Sequence, residues 1–143
     1  MDKKASWRVV LAMLGASMVF YAAIGLFIVA RRDGPVTLEV PAVIPVLLGV
    51  VALAGSAAIA SVAAVPHNSA QRFRALTLAS VAVLDLTALA GVVLTVLMWQ
   101  TWPVILLASA GIFGMVAFVA PASNAWFRAN EGRPSDRDRA ASS

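Results

Sequence analysis

The sequence predicts an all-α protein: four transmembrane helices packed as a bundle, with short loops and a polar C-terminal tail. Three observations predict it. The chain is 61% hydrophobic and only 13% charged, with a mean hydropathy of +0.87, about half the charged fraction of an ordinary soluble domain. Its apolar residues fall into four long runs, each able to cross a bilayer at about 1.5 Å rise per residue. Its basic residues lie between and beyond those runs rather than within them.

The first run is residues 9–30, preceded by the short basic segment with Lys3, Lys4 and Arg8. A secretory signal peptide would have an apolar core of about 7 to 15 residues and a small-residue cleavage site. This run is longer and ends in Arg31-Arg32, so it reads as a membrane helix. Arg31 to Pro35 reads as a turn, and Val36 to Val40 as an extended surface segment. The second run, 41–65, opens on Pro41 and Pro45, where a helix best tolerates a missing N–H. Ala52, Ser56, Ala60 and Ala64 recur at four-residue spacing along it. Such a stripe of small residues lets a second helix approach closely.

The loop from Pro66 to Arg74 carries His67, Arg72 and Arg74, with Asn68 or Ser69 as a candidate cap for the next helix. A lone loop histidine reads as solvent-exposed. The third run is 75–99, followed by a tight connection in which Thr101 is a candidate cap and Pro103 sits in the first turn. The fourth run is 103–121. The bundle is therefore expected to end near residue 127, and 128–143, rich in Arg, Asp, Ser and Ala, to form a disordered tail.

Four spans put both ends of the chain on one side. That side holds nine Lys and Arg residues against two on the other, so both termini are expected to be cytoplasmic. The tryptophans agree: Trp7 and Trp126 fall at one boundary, Trp99 and Trp102 at the other, each expected at headgroup depth with Arg72 and Arg74. Arginine outnumbers lysine nine to two in an alanine- and valine-rich chain, which suggests a GC-rich bacterial genome and so, with the four apolar runs, a bacterial inner membrane. The sequence pI near 10.7 follows from these flanking charges, and nucleic acid is not an expected partner.

Asp85 is the one formally charged residue inside any of the four runs. A carboxylate near the bilayer centre costs roughly 2.5 to 3.5 kcal/mol. Twelve Leu and Val residues between Leu76 and Leu97 favour insertion by on the order of 4 to 7 kcal/mol. The helix is thus expected to insert and to turn Asp85 inward. At the helical rise, Ser17, Tyr21, Ser56 and Ser109 fall within a few ångströms of its depth. Together these five residues form an expected intramembrane polar layer in which hydroxyls satisfy the acid.

The chemistry this sequence excludes is broad. It has no cysteine, so disulfides, thiolate metal sites and cysteine nucleophiles are ruled out. No second carboxylate accompanies Asp85 for acid–base work, no phosphate-binding glycine loop occurs, and the single histidine lies in a loop. No enzyme activity, cofactor or metal is expected. The leading expectation is a non-catalytic accessory or assembly subunit of a larger inner-membrane complex, of respiratory or lipid-transport type. Its partners would be the bilayer and other membrane subunits or copies of itself. The alternative expectation is a small homo-oligomeric channel or proton-coupled transporter using Asp85.

Overall fold

The computed structural model describes residues 3–31, 38–66 and 68–130. Among these residues every regular element is helical. The helices are α1 (Lys3–Arg31), α2 (Val43–Ala63), α3 (Ala70–Met98), α4 (Trp102–Gly114) and α5 (Ala120–Asn130), with a π-helical stretch, Met115–Val119, joining α4 to α5. Four spans are long and apolar enough to cross a membrane: Ser6–Arg31, Val43–Ala63, Ala70–Met98 and Trp102–Asn130. The protein is a multi-pass membrane protein with an all-α, four-helix architecture. Residues 131–143, most of the expected tail, lie outside the described residues, as do His67 and positions 32–37 of the first connection.

α3 and α4 form the central pair. α1 and α2 each pack against both of them and scarcely meet one another, so the bundle is a rhombus in section with α3 and α4 across its short diagonal. The connection from α1 to α2 crosses the end of α3, where the Leu38 N–H donates to Leu97 O at 3.0 Å. Glycines set the central spacing. A Cβ on Gly91 would stand 3.1 Å from both Leu107 Cβ and Val104 Cα, so α3 approaches the α4 backbone more closely than a larger residue would allow without a small shift. On α4, a Cβ at Gly111 would meet Met18 Sδ at 2.8 Å, and one at Gly114 would meet Leu84 Cδ2 at 2.8 Å. Those two side chains fill the centre, with Val81, Ala88, Met115 and Val119 around them.

α2 buries Pro45, Gly49, Ala52, Ser56, Ala60 and Ala63. The expected four-residue stripe therefore holds at Ala52, Ser56 and Ala60, but Ala63 takes the place assigned to Ala64, which caps the helix half-buried. Four residues turn about 400°, so a strict four-residue stripe drifts about 40° per step. A three-residue step brings the face back to α3 and α4.

Two boundaries differ from the sequence reading for identifiable reasons. α3 begins at Ala70, five residues before its apolar run, because Ser69 accepts from the Arg72 N–H at 3.2 Å and caps it. The fourth span does not stop at Pro121 but continues helically to Asn130, past the boundary expected at residue 127. Proline offers no N–H, and its ring collides with the carbonyl four residues back, here that of Ala117. The widened turn just before it accommodates both: the Ala120 N–H donates to Met115 O, five residues back.

This extension places an aromatic cluster at the end of the bundle that holds the start of α1. Phe73 stacks on Trp126 with ring centroids 4.2 Å apart and planes 6° from parallel, and Trp7 and Phe127 close around them. At the opposite end Trp99 ends α3 with φ 52°, in the left-handed conformation that glycine or asparagine usually takes at a helix terminus.

Gly91→Ala is expected to lower stability by about 1 to 3 kcal/mol through overpacking. Gly55→Ala, where an added Cβ meets nothing within 4 Å, should be neutral or gain up to about 1 kcal/mol of helix propensity. Denaturation of both variants in mild detergent, followed by circular dichroism, checks the contrast.

Candidate functional site: the intramembrane carboxyl and its hydroxyl partners

Asp85 lies midway along α3, half-buried at the seam with α1, between buried Leu84 and Ala88 and exposed Leu86 and Leu89. Ser17 of α1 reaches it: Ser17 Oγ stands 2.7 Å from Asp85 Oδ1 and 2.6 Å from Leu14 O. Among the described residues, Ser17 is the hydrogen-bonding partner of Asp85.

The rest of the expected layer does not converge on the acid. Ser56 is fully buried, but on the α2 side of α3, where its hydroxyl lies 2.7 Å from the Ser80 hydroxyl. Ser80 also donates to Ser56 O at 3.1 Å. Ser109 is exposed on the outer face of α4. Tyr21 is half-buried and packs against the central apolar cluster, with no hydrogen bond to Asp85 among the described residues. Matching depth is not matching direction. Residues at one level point around the whole circumference of their helices, and helical phase decides which of them meet.

Ser80, absent from the expected layer, is the residue that sequence reasoning missed. Its signal was available: Ser80 and Leu84 lie four residues apart on one side of α3, and Asp85 is rotated about 100° from Leu84. A second missed residue is Thr95. Thr101 precedes α4 but makes no side-chain cap bond. Instead the buried Thr95 Oγ1 of α3 accepts from the Val104 N–H at 3.0 Å. A cap from the neighbouring helix both satisfies α4's start and ties it to α3.

The tryptophans divide in two. Trp126 is buried, with its indole N–H donating to Asn68 O at 3.3 Å, and half-buried Trp7 donates to Ser123 Oγ at 3.5 Å. Both pack against Phe73, which the early start of α3 brings between them. Trp99 and Trp102 are half-buried at the other end, and Trp102 donates to Gln100 Oε1 at 2.6 Å. Arg72 and Arg74 are exposed in the first turns of α3.

No family model, curated protein or solved structure matches this chain.

Ser80→Ala is expected to cost about 1 to 2 kcal/mol, because it strands the Ser56 hydroxyl away from water, and Ser56→Ala to cost less, because Ser80 keeps its bond to the carbonyl of residue 56. The double variant should cost far less than the sum, since it removes both groups together. A double-mutant cycle measured by denaturation in mild detergent reads this coupling.

Proposed function

We propose that this chain is a non-catalytic, membrane-embedded subunit that works by assembling with larger proteins of a bacterial inner-membrane complex, of respiratory or lipid-transport type. The observation that carries the reading is the filled, apolar centre of the bundle. Met18, Leu84 and Leu107 have no solvent exposure, and Gly111 and Gly114 are occupied by the side chains facing them. A transporter acting alone needs an interior that can hold its cargo. Here the mid-span carboxyl sits at the α1–α3 seam rather than in a central cavity. α1 is also the least enclosed span, with 11% of its apolar window buried against 44% for the fourth span. In an assembly, that open flank is the natural surface for a partner helix.

The reading includes cytoplasmic termini. Arg72 and Arg74 stand at the N-terminal end of α3, where the helix dipole disfavours positive charge. Anionic headgroups on the cytoplasmic face give that placement a compensating gain. Because the chain has no cysteine, single-cysteine variants need no prior removal of native thiols. A membrane-impermeant maleimide applied to intact cells is expected to label Gly34→Cys and to leave Ser143→Cys unlabelled until the cells are opened. The reverse pattern would invert the topology.

Purification in mild detergent from native membranes at native expression tests the assembly itself. Recovery with one defined set of larger proteins is expected. Recovery as a pure small oligomer would instead favour a channel or proton-coupled transporter, for which the mid-span Asp85 is the specific supporting feature. In that case Asp85→Asn should abolish transport in reconstituted vesicles. In an accessory subunit the same change should reduce the parent complex's activity only as far as it reduces assembly.

A further inference from the structure

A groove of about 410 Å³ runs between α1 and the fourth span, lined by apolar residues. On α1 its wall is made of small residues, Ala12, Gly15 and Ala16. Each lies about 100° or more around the helix from Ser17, so the groove is separate from the α1–α3 seam. On the fourth span its wall is Ala120 with part of the π-helical stretch. No side chain of the bundle fills it at Gly15. A Cβ there would meet no atom within 4 Å, whereas Gly111 and Gly114 receive Met18 and Leu84.

The groove has a definite depth. Its inner end is at Val19 and Ile112. Beyond it the seam is closed, since a Cβ on Gly25 would stand 3.2 Å from Val104 Cγ1. Its outer end lies one turn past Ala12 and Ala120, where Arg8 Nη2 donates to Asn124 Oδ1 at 3.4 Å. From Arg8 to Val19 the helical rise gives about 16.5 Å, close to the roughly 15 Å of hydrocarbon in one leaflet. A partner helix would follow the seam through both leaflets, whereas an acyl chain ends at the midplane.

Charge at the outer end points the same way. Arg8 bonds a neutral amide, and Arg128 lies one helical turn beyond Asn124. Among the described residues the acidic side chains are Glu39 and Asp85, one at the opposite end of the bundle and one mid-span. The rim is therefore cationic with no described carboxylate beside it, at the depth where a phospholipid carries its phosphate.

We propose that this groove binds one anionic phospholipid from the leaflet that meets the start of α1. An acyl chain lies along Ala12, Gly15 and Ala16, and the headgroup phosphate accepts from Arg8, with Arg128 adding charge at the same end. The outer face of α1, where Met13, Phe20 and Phe27 are exposed, stays open to a protein partner. The proposal holds whether the chain serves a larger complex or acts alone.

The test is native mass spectrometry of the full chain in mild detergent, titrated with phosphatidylglycerol or with phosphatidylcholine of matched chains. One phosphatidylglycerol is expected to stay with each chain, in preference to phosphatidylcholine. Arg8→Gln should lower that preference roughly fivefold. Gly15→Leu fills the groove and should abolish retention. Gly55→Leu also enters open space, but on α2, and should leave retention unchanged. Circular dichroism checks that both leucine variants keep their helices. Equal retention of the two lipids by the wild type, or equal loss in the two leucine variants, overturns the proposal. A lipid-free dimer that Gly15→Leu dissociates also overturns it and gives the groove to a second copy of the chain. Should Gly15→Leu fail to fold, Arg8→Gln decides, and an undiminished preference for phosphatidylglycerol overturns the site.

Discussion

The close approach of α4 to α3 is the constraint on which the rest of this structure depends. Within a bilayer there is no hydrophobic force to drive one apolar helix onto another, so association relies on contact distance and on hydrogen bonds between helices. Gly91 provides the distance, since a Cβ there would stand 3.1 Å from the Val104 backbone and the Leu107 side chain and push the helices apart by a few tenths of an ångström. Thr95 provides a bond at the same crossing by capping α4 from α3. With that pair in place, Gly111 and Gly114 open hollows in α4 that Met18 of α1 and Leu84 of α3 fill. α1 and α2 are then held on opposite flanks, each touching the central pair and hardly touching each other.

Polar groups in this bundle are satisfied in two different ways. Thr77 and Thr87 bond carbonyls of their own helix, at 2.8 Å to Phe73 O and 2.7 Å to Val83 O, and so cost the surrounding apolar phase nothing. Ser56 with Ser80, Thr95 with Val104, and Ser17 with Asp85 bond across helices and fix which helices are neighbours. The first two of these are buried and complete, and they lock α2 and α4 to α3. The third lies at a half-buried seam on the other side of α3 and joins the least enclosed helix to the centre. The strongest polar group in the membrane thus stands at the margin of the bundle rather than at its heart, which separates the role of Asp85 from that of the serine pair.

The fourth span shows how tertiary context overrides a local signal. Pro121 reads as a helix end, yet the chain continues as helix to Asn130 because a π-helical turn absorbs the missing donor. The continuation carries Trp126 onto Phe73, and the stacked pair closes the end of the bundle. Trp126 is a packing residue of this cluster, with its indole N–H satisfied by a loop carbonyl.

The sequence alone was enough to determine the number of spans, their approximate limits, a cap for α3 at Asn68 or Ser69, most of the α2 packing face and the single mid-span acid. Each depends on composition or on residues close in the chain, because an apolar run of sufficient length must cross a bilayer as a helix and a cap is a contact over three residues. Only the tertiary structure decided which hydroxyl meets Asp85, that Ser56 meets Ser80, and that Ser109 faces outward. Helical rise gives depth along a span, whereas partnership depends on how each helix is rotated about its axis, and that rotation is set by the glycine contacts between helices distant in sequence.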